Sequence, residues 1–263
     1  MVNGKNNETN HIPESCPQTD GFFVGKQSRF PLMETEDGSL TVLGPLGETY
    51  HSIAGAVLES QYVYLDCGLR YFIQKNRATG TFPSEIHVLE MGLGTGLNAF
   101  LTCRDFLTCR ELLTEPEIFY RALEKYPLPP DLTDHLHYPA NPQETACFQG
   151  IHSGPWDTPY RITDSFTLLK HRCDLLDFNP VGKPPVHVVF YDAFSPAAQP
   201  ELWTEQALQR IVPLLAPEAV LTTYSCKGTF RRLLESLGFT TERLPGPGKK
   251  RHILRAVFTN PQI

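Results

Sequence analysis

Apolar and polar positions divide the chain into a polar leader, a strand-like stretch and a long alternating body. Residues 1–20 carry Asn, Glu, Gln and Pro without an apolar run. That pattern predicts a flexible tail and argues against an export signal. Ser39–Leu43, Gln61–Leu65 and Leu69–Ile73 are rich in β-branched and aromatic residues, with glycines in the intervening stretches. They read as strands, and Ile53–Leu58 between them as a short helix. Residues 21–82 are therefore expected to form a β-rich elaboration, packed as one unit with a main domain over 83–263.

The body alternates in a regular way. Ile86–Glu90, Ile118–Glu124, Ser165–Cys173, Val186–Asp192 and Ala219–Tyr224 are short apolar runs of strand length. Val186–Asp192 is the clearest buried parallel strand among them. Leu97–Leu107, Pro200–Leu215 and Lys227–Leu237 have helical spacing. Phe239–Arg243 and His252–Phe258 flank Pro245-Gly-Pro-Gly248 as a closing hairpin. Residues 127–159, rich in Pro, His and Asn, exceed an ordinary connection and predict an inserted functional segment. Strands alternating with helices imply an α/β fold with a mostly parallel sheet and an antiparallel C-terminal pair.

Composition narrows the class without deciding it. The 263 residues are 41% hydrophobic and 20% charged, which sets disordered and fibrous classes aside. No run approaches the roughly 20 apolar residues needed to cross a bilayer. The seven cysteines are scattered, odd in number and lack a Cys-x-x-Cys pair, so they read as reduced packing residues and no metal site is expected. A cytoplasmic location follows from that reading. The net charge of −6 argues against general nucleic-acid coating but leaves room for a local basic patch.

Candidate chemistry begins at Glu90-Met-Gly92-Leu-Gly94-Thr-Gly96-Leu-Asn98, where a strand hands over to a helix. Glycines there permit a sharp turn and bring a ligand against bare backbone. A dinucleotide fingerprint requires Gly or Ala where Leu97 stands, which disfavours a nicotinamide enzyme. Glu124 ends the next strand, where a carboxylate can accept two ribose hydroxyls. Asp174 ends the third strand in the same way. Each acid alone is more often a solvated strand end; their succession along one sheet edge favours a nucleoside ligand. Asp192 follows the fourth strand, placed to hold an amine and offset charge developing on its nitrogen, with Phe194 closing the site to water. Asp192 also suits a helix cap, and Phe194 the core.

Glu90, with the three glycines, resembles the first motif of class I S-adenosylmethionine methyltransferases, which implies a Rossmann-like sheet and S-adenosyl-L-methionine as cofactor. Asp192-Ala-Phe-Ser-Pro-Ala-Ala-Gln-Pro-Glu-Leu-Trp203 resembles the signature of MnmC-type tRNA wobble-uridine methyltransferases. Tyr120–Leu128, Thr222–Ser225, Arg231-Arg232, Gly238-Phe239 and Gly246–Arg251 extend the resemblance, as do Thr49–Ser52 and Glu59-Ser60 upstream. It implies methylation of the 5-aminomethyl group of wobble uridine in tRNA, with upstream aminomethyl-forming enzymes as pathway partners. By position it gives Asp192 the active-site carboxylate role, and Glu90, Gly92, Gly94, Gly96, Asn98, Glu124, Asp174 and Asp192 the cofactor contacts. Phe194 would face the substrate, and Lys249, Lys250 and Arg251 would meet tRNA phosphates. The family's frequent fusion to a flavin-dependent oxidoreductase finds no room here, so a stand-alone methyltransferase is expected. Two rivals remain at this point. An aminopropyltransferase would need a second acid just after Asp192, where Ala193 stands, and a non-catalytic tRNA-binding module would not need the intact acids.

Overall fold

The computed structural model describes residues 23–24, 30–80, 82–108, 116–248 and 250–259. The expected tail at 1–20 and Lys249 lie outside the described residues. Among those described, eleven strands form two sheets. The smaller joins β1 (Phe23–Val24), β2 (Leu32–Glu34) and β3 (Leu40–Val42), all antiparallel.

The larger sheet carries β4 (Glu85–Met91), β5 (Glu117–Leu123), β6 (Tyr160–Thr163), β7 (Phe166–His171), β8 (Val186–Tyr191), β9 (Leu215–Thr223), β10 (Phe239–Pro245) and β11 (His252–Phe258). Their order is β10-β11-β9-β8-β4-β5-β7-β6. The central pairs are parallel, and the β6, β10 and β11 pairings are antiparallel. This is the α/β arrangement expected from the sequence, a mostly parallel sheet with an antiparallel C-terminal pair. β4 starts the parallel body and has β5 on one side and β8 on the other, so the chain reverses direction of travel there. Ligands in such sheets bind in the crevice at that switch.

Strand periodicity divides the core between the two faces. Ile86 and Val88 of β4 join one buried cluster, and Leu89 and Met91 join the other. The first cluster takes in α3 (Leu97–Thr108) and α5 (Pro142–Ser153); the second takes in α6 (Glu205–Leu208) and α7 (Gly228–Ser236). Within the 127–159 segment lie α4 (Pro130–Thr133) and α5. Pro142 opens α5 and Asn141 caps it, accepting the Glu144 amide at 2.9 Å, while Glu144 accepts the Ala140 amide at 2.8 Å.

Three expected elements are corrected, in two regions of the chain. Gln61–Leu65 and Leu69–Ile73 are not strands. They belong to one helical run: α1 (Ala56–Ser60), a π-helical stretch (Gln61–Arg70) and α2 (Tyr71–Thr79), ended by left-handed Gly80. Val63, Tyr64, Leu65, Cys67, Leu69, Phe72 and Ile73 are all buried, because sheet and α3 enclose this run on several sides. Its polar stripe, Asp66, Arg70 and Gln74, is narrow, and short windows of the apolar text between look like strand. Gly68 is no turn either. A Cβ there would lie 2.9 Å from Thr222 Oγ1, so the glycine lets the helix press onto β9.

The second region, Pro200–Leu215, is not one amphipathic helix. It breaks into 3₁₀ turns at Pro200–Trp203 and Val212–Leu214 around α6. Thr204 is extended and caps α6 with its hydroxyl, and a proline stands in the first positions of each 3₁₀ turn.

Candidate active site

The cleft at the switch between β4 and β8 has a volume of about 1510 Å³. Gly92, Gly94, Glu124, Asp174, Asp192 and Phe194 all line it, so the separated sequence signals converge on one site. Gly92, Gly94 and Gly96 have φ of 86°, 51° and 74°, left-handed values that strain a side-chain-bearing residue. A Cβ on Gly92 would come within 3.1 Å of the Asp192 carbonyl oxygen, and one on Gly94 within 2.8 Å of the Tyr50 ring. The loop therefore runs against its neighbours with no space to spare.

Glu124 ties the loop to β5. Its Oε2 accepts the Gly94 amide at 2.9 Å, and its Oε1 accepts the Tyr126 amide at 2.7 Å. Burial pushes this carboxyl above its usual range, against those amide donors. Asp174 accepts the Leu176 amide at 2.9 Å and pairs with Lys125 at 2.7 Å. Desolvation pushes its carboxyl up, but the Lys125 and Leu176 donors outweigh that and hold it below the usual range.

Glu90 is not at a strand end. It lies within β4, fully buried, and burial drives its carboxyl well upward. Asn98 links it to the cleft: the amide donates to Glu90 Oε1 at 3.0 Å and to Asp192 Oδ2 at 2.8 Å. On the far oxygen, the Tyr64 hydroxyl donates to Asp192 Oδ1 at 2.5 Å. Desolvation raises Asp192 to about 7, with Glu59 pushing the same way and Tyr64, Asn98 and Lys250 opposing. A carboxylate poised there can hold an amine and exchange a proton near neutral pH.

The wall facing Asp192 comes from the N-terminal region. Tyr50 meets Phe194 edge to face, with centroids 4.9 Å apart. The Ser195 amide donates to Glu48 at 3.1 Å, and its hydroxyl donates to the same carboxylate. His51 Nε2 lies 2.7 Å from Thr95 Oγ1, and burial lowers its pKa to about 4, so the ring is neutral near pH 7. Phe194 thus faces the cleft and is not a plain core residue, and the Trp203 indole N–H donates to its carbonyl at 2.8 Å.

Lys250 turns inward. Its ammonium pairs with Glu59 and lies 4.3 Å from the Tyr224 ring centroid, at the cleft wall. Arg251 and Lys227 do not line the cleft, and Arg251 is exposed. Tyr64, Tyr50, Glu48 and Glu59 carry site geometry that the motifs did not assign to them. Tyr50 and Glu59 stand inside motifs of the family resemblance, which was the available signal. Tyr64 gave none, since it sits in text that reads as strand.

The donor set suits S-adenosyl-L-methionine. Asn98 Oδ1 is buried at the cleft without a protein partner, an acceptor fit for an ammonium group. The bare glycine backbone and the Glu124 carboxylate suit the rest of such a molecule. Among the described residues, no cluster of His, Cys, Asp and Glu is arranged to hold a metal, and no helix is long and apolar enough to cross a membrane.

Comparison with known proteins agrees with this chemistry. Residues 167–259 match the model of an S-adenosyl-L-methionine-dependent methyltransferase family. The tRNA 5-methylaminomethyl-2-thiouridine biosynthesis bifunctional protein MnmC of Methylibium petroleiphilum is 32% identical over 222 residues. That alignment covers 82% of this chain and 33% of MnmC. The MnmC of Pseudomonas putida is 30% identical over 227 residues, with the same coverages. The chain spans about a third of the length of these curated relatives. The crystal structure of MNMC2 from Aquifex aeolicus shares the fold, with a TM-score of 0.70 at 24% identity, covering 91% of this chain and 73% of that one. Over residues 167–259 this chain is similar to the S-adenosyl-L-methionine-dependent methyltransferases, and MnmC proteins are among its relatives.

Proposed function

We propose that this methyltransferase converts the 5-aminomethyl group of wobble uridine in tRNA to 5-methylaminomethyl, on uridine or 2-thiouridine. The observation that carries the reading is Asp192, a carboxylate raised to about 7 beside the glycine loop, gripped by Tyr64 and Asn98. The resemblance to proteins named for 5-methylaminomethyl-2-thiouridine biosynthesis supports the acceptor.

The bound cofactor supplies an electrophilic methyl group on a sulfonium centre. Asp192, as carboxylate, accepts the N–H groups of the neutral amine and turns its lone pair toward the methyl carbon. Transfer of that methyl group to nitrogen would leave the C–S electron pair on the departing thioether. Positive charge develops on nitrogen next to Asp192, which stabilises it and takes up the proton released by the secondary ammonium. Tyr50 and Phe194 exclude water from the acceptor side. Glu124 and Asp174 hold the nucleoside part of the cofactor. Arg251, with Lys227 and Arg232 of the neighbouring helix, offers charge to tRNA phosphates. Such an enzyme works in the cytoplasm and follows an enzyme that leaves a primary aminomethyl group on the wobble base.

The test incubates the purified chain with labelled S-adenosylmethionine and tRNA bearing 5-aminomethyluridine at the wobble position, followed by nucleoside analysis. A labelled 5-methylaminomethyl nucleoside is expected. Absence of transfer, with cofactor binding measured separately, overturns the acceptor and leaves the methyltransferase fold standing.

A further inference from the structure

The π-helical stretch Gln61–Arg70 is the longest irregularity in the helices described, and wide helical turns of this kind gather at functional sites. It carries Tyr64, which is almost wholly buried and reaches across 128 positions of sequence to Asp192. The Tyr64 ring packs against Phe190 of β8, with centroids 5.4 Å apart, and Gly68 lets the same stretch press onto β9. Phe190 lies two residues before Asp192, so ring and carboxylate are referenced to one strand.

We propose that Tyr64 is a positioning residue for methyl transfer: its hydroxyl, opposite the Asn98 amide, clamps the Asp192 carboxylate in the plane and rotamer that meet the acceptor amine. Each carboxylate oxygen receives one internal donor and keeps a lone pair for the amine. Both donors favour the charged form, so the clamp that aims Asp192 also keeps it ionised within its buried setting. The other titratable groups facing Asp192 are Glu59 of α1, Glu90 of β4, Tyr120 of β5, Tyr224 after β9 and Lys250 of the hairpin loop. Glu59 disfavours its charge and Lys250 favours it, which leaves Tyr64 and Asn98 as the donors that touch it. The inference rests on the proposed amine acceptor for its catalytic consequence but not for the clamp itself.

The experiment compares wild type with Tyr64→Phe, which keeps the ring and removes the donor. Protein labelled at the aspartate carboxyl carbon is titrated by NMR, with the Asp192 signal assigned by its loss in Asp192→Asn. Loss of the donor should raise the Asp192 midpoint by about one unit. The acid limb of kcat/KM for aminomethyl tRNA should move up with it, and S-adenosylmethionine affinity should stay within about threefold. A merely structural role would instead lower activity equally at all pH values and leave the midpoint in place, which overturns the proposal. An unchanged midpoint with unchanged activity also overturns it. A shifted midpoint without tRNA methylation by either protein supports the clamp and sinks the acceptor.

Discussion

Lys250 and Glu59, 191 residues apart in sequence, form an ion pair that fastens the β10–β11 turn to the start of the helical run beside the cleft. Glu59 is 7% exposed and its second oxygen accepts the Ser52 amide at 2.8 Å. The pair therefore joins three segments around Asp192, where Glu59 raises and Lys250 lowers the pKa of a carboxylate governed first by desolvation.

Lys250→Glu should disturb catalysis more than tRNA docking. It leaves two acids facing each other near Asp192, which costs stability by about 1–3 kcal/mol, the lower part of the range for a pair that is only partly buried. The acid limb of kcat/KM should move to higher pH, because a group that favoured the Asp192 charge has been replaced by one that opposes it. Thermal unfolding and a pH–rate profile check both. An unshifted limb with weaker tRNA binding alone would return Lys250 to a phosphate-contact role.

Transfer should fail as pH falls through about 7, where Asp192 takes up its proton. The same group affects stability with the opposite sense. Burial raises its folded pKa above the ordinary value of 3.8, so the native state prefers the protonated form. That contribution is present below about 4 and is lost as pH rises toward about 7. Between pH 5 and pH 8 the melting temperature of wild type should therefore drop more than that of Asp192→Asn. Equal drops would show that Asp192 does not carry the raised pKa.

Asp192→Ala should keep the fold and reduce turnover at least tenfold, a barrier increase of about 1.4 kcal/mol. Single-turnover transfer to aminomethyl tRNA reads this directly. A smaller loss would mean that the carboxylate is not central to the chemistry.

Glu124→Ala removes the acceptor for the Gly94 and Tyr126 amides as well as the expected ribose contact. Cofactor affinity measured by calorimetry should fall at least tenfold, equal to about 1.4 kcal/mol. An affinity within about twofold of wild type would remove Glu124 from the cofactor site.

Gly68→Val would drive branched carbons into Thr222, whose Oγ1 already lies 2.9 Å from the site of a Cβ. Overpacking of this kind costs about 1–3 kcal/mol. Displacing the helix also carries Tyr64 away from Asp192, so activity should fall further than stability explains. Denaturant unfolding and kcat, compared in conditions where both proteins are folded, test the link.

The sequence by itself determined the order of the parallel strands, because short apolar runs and glycine breaks are local signals, but it did not announce α4, α5 or β6. It also pointed to the candidate site: Gly92, Gly94, Glu124, Asp174 and Asp192 each follow or adjoin a strand whose end is readable, and all line one cleft. The family resemblance in residues 192–203 narrowed the chemistry further. Pro200–Leu215 misled because its apolar spacing is helical while its prolines and Thr204 interrupt the backbone ladder. Only the tertiary structure decided the state of Gln61–Ile73. Its polar face is narrow, with Asp66 and Arg70 one turn apart among buried neighbours, so short windows of it read as strand and its surroundings decide that it is a helix. The same holds for what surrounds Asp192. Tyr64, Asn98, Glu59 and Lys250 come from separate parts of the chain, and their influence on one carboxylate arises from desolvation and distance, which exist only once the chain has folded.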